Sequence, residues 1–312
     1  MMWSLVYLAV LFVVLTPGVL LTLPKSGSKL VVAITHAVVF VAIWYFTRRF
    51  VVEKFQDEDE YEEDEEGFTR TCRDARGKPK PCSGGCFPAS AIVTVDDGSE
   101  SGKKTQVIDL KIGDKVLAVE ATTGKVSYSD VYLFGHRDSE TVTNYYTVTT
   151  ASGSSLQLSP EHYMYVSENG CNDSITTATT LSPKFVKVGM GAWVNTPEGM
   201  KCSVITEIHQ GEEKGLYNAF TLNGSILVND VYASCYVPHS DVPIESFLSN
   251  LMNAENVARS APALWHTLSA PLRALYLANG AEWATRVTQG HDVEGWKDLS
   301  ISSMIKKSLV TA

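Results

Sequence analysis

Gly85-Cys86-Phe87-Pro88 and Ser159-Pro160-Glu161-His162 are the segments of this chain whose residue types can do chemistry. A cysteine supplies a nucleophile, a preceding glycine leaves its own carbonyl uncrowded, and an imidazole moves protons near neutral pH. Together they suggest a backbone that cuts itself. The Cys86 thiol would attack the Gly85 carbonyl and convert the amide to a thioester. An amide is the more stable of the two, so the fold must polarise this one bond and protonate its nitrogen. His162 can deliver that proton, and the Ser159 hydroxyl can orient the peptide. Three residues apart, after an apolar alternating run and through Pro160, both side chains can face one site from a turn. The thioester then needs a second nucleophile, and therefore another base.

The elements that must position these groups read as β-structure. Short runs rich in Val, Ile, Thr and Tyr recur from Ile92–Val95 to Val231–Tyr236, among them Ser127–Phe134, Tyr145–Thr149, Phe185–Val188, Ser203–His209 and Leu216–Leu222. Turn residues such as Asp96-Asp97-Gly98 and Asn223-Gly224 punctuate them. The pattern predicts an all-β domain of hairpins over residues 86–242. From 243 to 312 the composition shifts to Leu and Ala. Ser246–Val257 and Pro262–Ala284 have helical spacing, with Leu264, Leu268, Leu272 and Leu275 in register. This predicts a small helical tail that packs on the β domain or meets lipid.

Residues 1–50 are different again. Residues 2–23 carry no charge and are long enough to cross a bilayer, and residues 30–46 form a second, shorter apolar run ending near Trp44 and Tyr45. They predict a two-pass membrane hairpin of transmembrane helices. Arg48, Arg49 and Lys54 against Lys25 and Lys29 tilt the charge count slightly toward a cytoplasmic C-terminal part, without fixing the side. Residues 51–85 read as an acidic, disordered linker, because residues 57–66 alone hold nine acids. The net charge of −9 argues against nucleic acid as a partner. Six cysteines without a C-x-x-C pair argue against both a disulfide scaffold and a zinc site. The pairing of Cys72, Cys82, Cys171 and Cys202 is open at this stage, and so is the oligomeric state.

Several segments in order resemble the C-terminal autoprocessing domain of Hedgehog proteins, in the Hint (Hedgehog/intein) superfamily. They are GCFP at 85–88, IDLKIGDKVLAVEATTGKVSYSDVYLFGHRD at 108–138, LQLSPEHYMYV at 156–166 and GSILVNDVYASCYV at 224–237. LWHTLSAPLRAL at 264–275 is more weakly similar to the start of that family's sterol-recognition region. The resemblance implies a Hint-type fold, with Cys86 as nucleophile, Gly85 as the residue attacked and His162 as the histidine of a T-x-x-H motif. Ser159 stands where that motif has Thr, which keeps the hydroxyl and loses a methyl. Cys235 matches a cysteine able to pair with the nucleophile under oxidation. His136 departs from the family, which has an Asp thought to activate a sterol hydroxyl; imidazole is also a general base. Asp138 is nearby in sequence, two residues along.

The sequence therefore predicts autoprocessing at Gly85-Cys86. The substrate is the chain's own N-terminal segment, no cofactor or metal is needed, and a sterol, another alcohol or water is the co-substrate. Intein-type splicing is disfavoured, since Tyr236–Ser240 has no His-Asn pair. The alternative is a silent, membrane-anchored β domain that binds lipid or protein. His209, His239, His266 and His291 have no arguable partner in the sequence.

Overall fold

A computed structural model of the 312-residue chain describes residues 72–74, 76–80, 85–237 and 254–288, with eight further positions between Leu15 and Phe40. Residues 1–69 and 70–312 form two compact units. Of the first, Thr35 Oγ1 donates to the Val31 carbonyl at 2.8 Å, one helical turn back, and His36 Nδ1 bonds the Leu15 carbonyl at 2.6 Å. Apart from those eight positions, the expected membrane hairpin lies outside the described residues. Among the described residues no helix is long and apolar enough to cross a membrane.

The second unit is built of antiparallel strands: β1 (Cys72–Arg73), β2 (Pro79–Lys80), β3 (Ile92–Val95), β4 (Lys103–Gln106), β5 (Lys115–Val119), β6 (Val126–Thr150), β7 (Ser155–Leu158), β8 (Met164–Ser167), β9 (Thr179–Leu181), β10 (Gly191–Thr196), β11 (Gly199–Thr221), β12 (Ser225–Val228) and β13 (Val231–Ser234). Two helices follow, α1 (Ala254–Leu268) and α2 (Ala270–Thr288). The main strand order is β12-β13-β8-β10-β11-β6-β5-β3-β4. Its spine is the pairing of β6 with β11, from Ile205 opposite Thr150 to Thr221 opposite Val131.

The expected runs at Ser127–Phe134 and Tyr145–Thr149 are thus one strand of 25 residues, and Ser203–His209 and Leu216–Leu222 fall in one of 23, apart from Leu222 just past its end. The polar stretches between them keep the ladder hydrogen bonds, so pairing does not need the apolar alternation to continue. The expected strand at Phe185–Val188 is absent. Pro183 begins a short 3-10 turn over Pro183–Phe185 instead, consistent with its fixed φ and missing N–H.

Residues 51–85 were expected to be linker throughout. Within them β1 and β2 pair with each other, and Arg73 pairs with Val142 of β6. Cys72 is buried and disulfide-bonded, and the Thr143 hydroxyl donates to its sulfur at 3.3 Å. A second disulfide joins Cys171 to Cys202, whereas Cys86 and Cys235 are buried and not disulfide-bonded.

The β12–β13 hairpin shows why this sequence folds locally as it does. Its two-residue loop, Asn229-Asp230, has φ of 50° and 61°, the left-handed pair a tight twisted hairpin requires and Asn and Asp tolerate. Asn229 also accepts from the Ile92 N–H at 2.9 Å and donates to the Ser155 carbonyl at 3.0 Å. The helices pack rather than project: Trp265, Leu272, Tyr276 and Trp283 join the core. Burying a large apolar side chain contributes roughly 1.5–3 kcal/mol. Thr180 Oγ1 donates to the Ala258 carbonyl at 2.7 Å, and Tyr276 Oη to Asp130 at 3.0 Å. Packing on the β domain is therefore the reading of the tail that the structure supports.

Candidate active site

Cys86 enters the fold as part of a short extended segment laid along β11. Phe87 and Tyr217 exchange backbone hydrogen bonds at 2.8 and 3.0 Å, and the Ala89 N–H donates to the Lys214 carbonyl at 3.0 Å. The strand makes room for this segment at Gly215. There the register shifts, φ is +96°, and a Cβ would come within 2.6 Å of Ala89. Tyr145 Oη donates to the Gly215 carbonyl at 2.5 Å, and Cys86, Tyr145 and Leu216 form a small buried cluster.

On the other side the segment meets the turn after β7. The His162 N–H donates to the Ser159 carbonyl at 3.0 Å, closing a four-residue turn with Pro160 at its second position, where its φ is already suitable. The Ser159 N–H donates to the Cys86 carbonyl at 3.0 Å, and the Cys86 N–H donates to Ser159 Oγ at 2.7 Å. Ser159 thus grips the nitrogen of the Gly85–Cys86 peptide directly. Gly85 lies against the same turn. A Cβ on it would be 2.7 Å from Val237, 2.8 Å from His162 Cα and 2.9 Å from His162 N.

His162 is fully buried, with its ring centroid 4.1 Å from that of Phe87. Its Nε2 bonds the Ser234 carbonyl at 2.8 Å; a carbonyl only accepts, so Nε2 carries the hydrogen and Nδ1 is bare in the neutral ring. Nδ1 makes no hydrogen bond of ordinary geometry. Burial holds the imidazole at a pKa of about 4, and nearby His136 lowers it further, while the Ser234 and Gly85 backbones work the other way.

His136 arrives from β6. Its Nδ1 lies 3.2 Å from Cys86 Sγ, close enough to take the thiol proton. Asp138 faces elsewhere, accepting from the Glu140 N–H, the Thr141 N–H and the Thr141 hydroxyl. Cys235 is buried beside Thr221 Oγ1 at 3.6 Å, and burial pushes its thiol up to about 11. It is not disulfide-bonded to Cys86. The structure therefore brings Gly85, Cys86, Ser159, His162 and His136 into one site, with Cys235 directly after the Ser234 carbonyl that orients His162. Among the described residues no group of three or more His, Cys, Asp or Glu side chains could hold a metal ion.

Two residues escaped the sequence reading. Asn218, opposite His136 in the β6–β11 pairing, is fully buried. Its one sequence signal is an amide inside the apolar run Leu216–Leu222. His266 meets Tyr236: Tyr236 Oη lies 2.8 Å from His266 Nδ1 and 3.1 Å from Ser269 Oγ, and Arg273 donates to that Ser269 oxygen at 2.7 Å. Burial, with Arg273 adding to it, lowers His266 to about 4.

The family model of the Hint module matches residues 77–288. Indian hedgehog B protein of Danio rerio is 31% identical over 222 residues, 67% of this chain and 48% of its own length. Warthog protein 6 of Caenorhabditis elegans is 32% identical over 162 residues, covering 52% of this chain and 25% of its own. The chain thus spans about half or less of the length of these relatives. Among solved structures, the gp41-1 intein aligns with a TM-score of 0.36 at 20% identity, covering 49% of this chain and 99% of that one.

Proposed function

This chain belongs to the Hint family, and we propose that it cuts its own backbone between Gly85 and Cys86 by an N–S acyl shift. One observation carries the reading. The Cys86 thiol sits on His136 while the nitrogen of its own peptide bond sits on Ser159, at 3.2 and 2.7 Å. Nucleophile, base and leaving nitrogen are in one dry pocket, with Cys86, Ser159 and His162 each fully buried.

The steps follow from those contacts. His136 Nδ1 accepts the thiol proton and the sulfur attacks the Gly85 carbonyl carbon. The C–N bond breaks, the Gly85 acyl group is left on sulfur, and the departing nitrogen gains a proton. One proton leaves the thiol and one reaches the amine, so the shift needs no external acid. His162 is suited to relay that proton: its bare Nδ1 takes up the proton that the His136 imidazolium gives up and, with a pKa near 4, passes it readily to the departing nitrogen, which leaves both rings neutral. An oxygen nucleophile, from a sterol, another alcohol or water, then takes the acyl group. The product ending at Gly85 carries the two apolar runs, which anchor it to membrane, and the acidic block. The disulfides at Cys171–Cys202 and Cys72 favour an oxidising compartment for the module, against the slight charge bias of the N-terminal segments.

Expression of the full chain under reducing conditions tests this. The wild type should yield two fragments separating at Gly85 and Cys86, and Cys86→Ala a single chain. An uncut wild type would sink the proposal. The mass of the N-terminal fragment, from cells fed or starved of sterol, reads which nucleophile was used.

A further inference from the structure

Asn218 is 0% exposed, and neither its Nδ2 nor its Oδ1 has a hydrogen-bond partner. Among the described residues it is the one side chain with two such atoms; Tyr132, His162, Trp193, Arg259 and Trp283 each leave one. Two buried hydroxyls close by in sequence, by contrast, are paired. Thr221 donates to the Ser225 carbonyl at 2.7 Å, and Ser225 to that of Val119 at 2.8 Å. A buried polar group left unpaired costs about 1–3 kcal/mol, so the fold keeps this amide at a loss that a leucine of similar size would not incur.

Its position says what the loss is for. Asn218 pairs directly with His136 across the ribbon. Directly opposed residues of an antiparallel pair share a face, with Cβ atoms about 5 Å apart. The imidazole beside it is the one in contact with Cys86. The register shifts immediately after Asn218, the kind of irregularity that re-aims a side chain near a site. Its neighbour Tyr217 is bonded to Phe87, next to the nucleophile. On the far side, a Cβ at Gly135 would lie 3.2 Å from Nδ2, so the strand backbone closes over the amide.

We propose that Asn218, beside His136, is a binding residue for the oxygen nucleophile that resolves the thioester, a role assigned to a hydroxyl-bearing ligand. The inference rests on the reading of Cys86 as the acyl carrier. Nδ2–H donates to the oxygen of the incoming hydroxyl while its O–H faces His136. A water molecule places its second O–H on Oδ1. As the new C–O bond forms at the Gly85 carbonyl carbon, His136 takes the hydroxyl proton. The C–S bond then breaks, and the Cys86 thiolate recovers that proton from the imidazolium. The products are a Gly85 ester or carboxylate and a free Cys86 thiol, with no change of oxidation state.

The test separates the two half-reactions in the full chain. Dithiothreitol attacks the thioester by itself, so thiol-induced cleavage reads thioester formation. Cleavage without thiol, in water alone or with a sterol in detergent, reads resolution by oxygen. In Asn218→Ala and Asn218→Leu, thiol-free cleavage should fall by ~10- to 100-fold, the range for one lost hydrogen bond at a buried site, and at least tenfold more than the thiol-induced rate. Asn218→Leu should melt at or above the wild-type temperature. A carboxylate or an ester on Gly85 identifies water or alcohol as the source, and either fits. Equal losses in both assays, unchanged thiol-free cleavage, or a lowered melting temperature in both variants would each overturn the assignment. Absence of thiol-induced cleavage in the wild type would instead remove the acyl carrier, and the subsite with it.

Discussion

The two flanks of Cys86 are built on different principles. On the leaving-nitrogen flank, Ser159 and His162 come from one four-residue turn. Ser159 bonds the Cys86 peptide twice, and His162 is fixed by the Ser234 carbonyl. On the flank of the nucleophile, His136 and Asn218 come from two long strands whose residues meet only by register. Asn218 is left with its hydrogen bonds unmade. The first flank is held by hydrogen bonds already made at Ser159 and at His162 Nε2. On the proposed reading, that wall breaks the peptide and the second receives what replaces it.

Substitutions at the two histidines should expose that division most strongly. His162→Gln should slow thiol-induced cleavage by ~10²- to 10⁴-fold, the range for loss of a general acid. His136→Gln should leave a smaller deficit in that assay than in thiol-free cleavage, because it also serves the second step. Equal ratios in the two variants, read by gel densitometry over time, would erase the distinction between the flanks.

Acid should act on the first flank more than the second. Folded His162 binds its proton near pH 4, against 6.5 for an ordinary imidazole. A group so depressed contributes stability that is complete above pH 6.5 and is lost as pH falls toward 4. The full loss is on the order of 3 kcal/mol. Denaturant melts at pH 7 and pH 4.5 should show this loss, and His162→Gln should reduce it. A pH-independent wild type would mean that the ring is not buried neutral.

Ser159→Ala removes one hydroxyl from the scissile nitrogen and should cost about fivefold in thiol-induced cleavage, at a net ~1 kcal/mol per hydrogen bond. Ser159→Thr should retain most activity; a loss as large as that of Ala would show that the pocket, not the hydroxyl, sets the rate. The smallest effect belongs to the seam with the helices. Tyr236→Phe deletes the contacts to His266 and Ser269 and should lower stability by ~1 kcal/mol in chemical denaturation, with little change in cleavage.

What was legible in the sequence follows the same division. Gly85, Cys86, Ser159 and His162 could be read because each pair is local in sequence and its chemistry is tied to a turn that Pro160 favours. His136 was legible only through the family resemblance that marked its position. Asn218 was not legible, because its meaning lies in a partner 82 positions away, fixed by a ribbon register that bulges at Lys214 and again after Asn218. The hairpins of the β domain were visible as alternation and turn residues. The continuity of β6 and β11 was not, since ladder hydrogen bonds persist where side chains carry no pattern. Cys72 shows a similar limit. Its surroundings in sequence are polar and charged, yet it is buried against Thr143 by a strand pairing that composition does not encode.

The fit of Gly85 against the His162 backbone sets the scope of the reaction. Rigid backbone atoms, rather than a flexible side chain, fill two of the three contacts that a Cβ would make there. On the proposed reading the pocket therefore selects at the residue before the cut: a side chain at position 85 would have to push back the His162 backbone before the Cys86 thiol could reach its carbonyl.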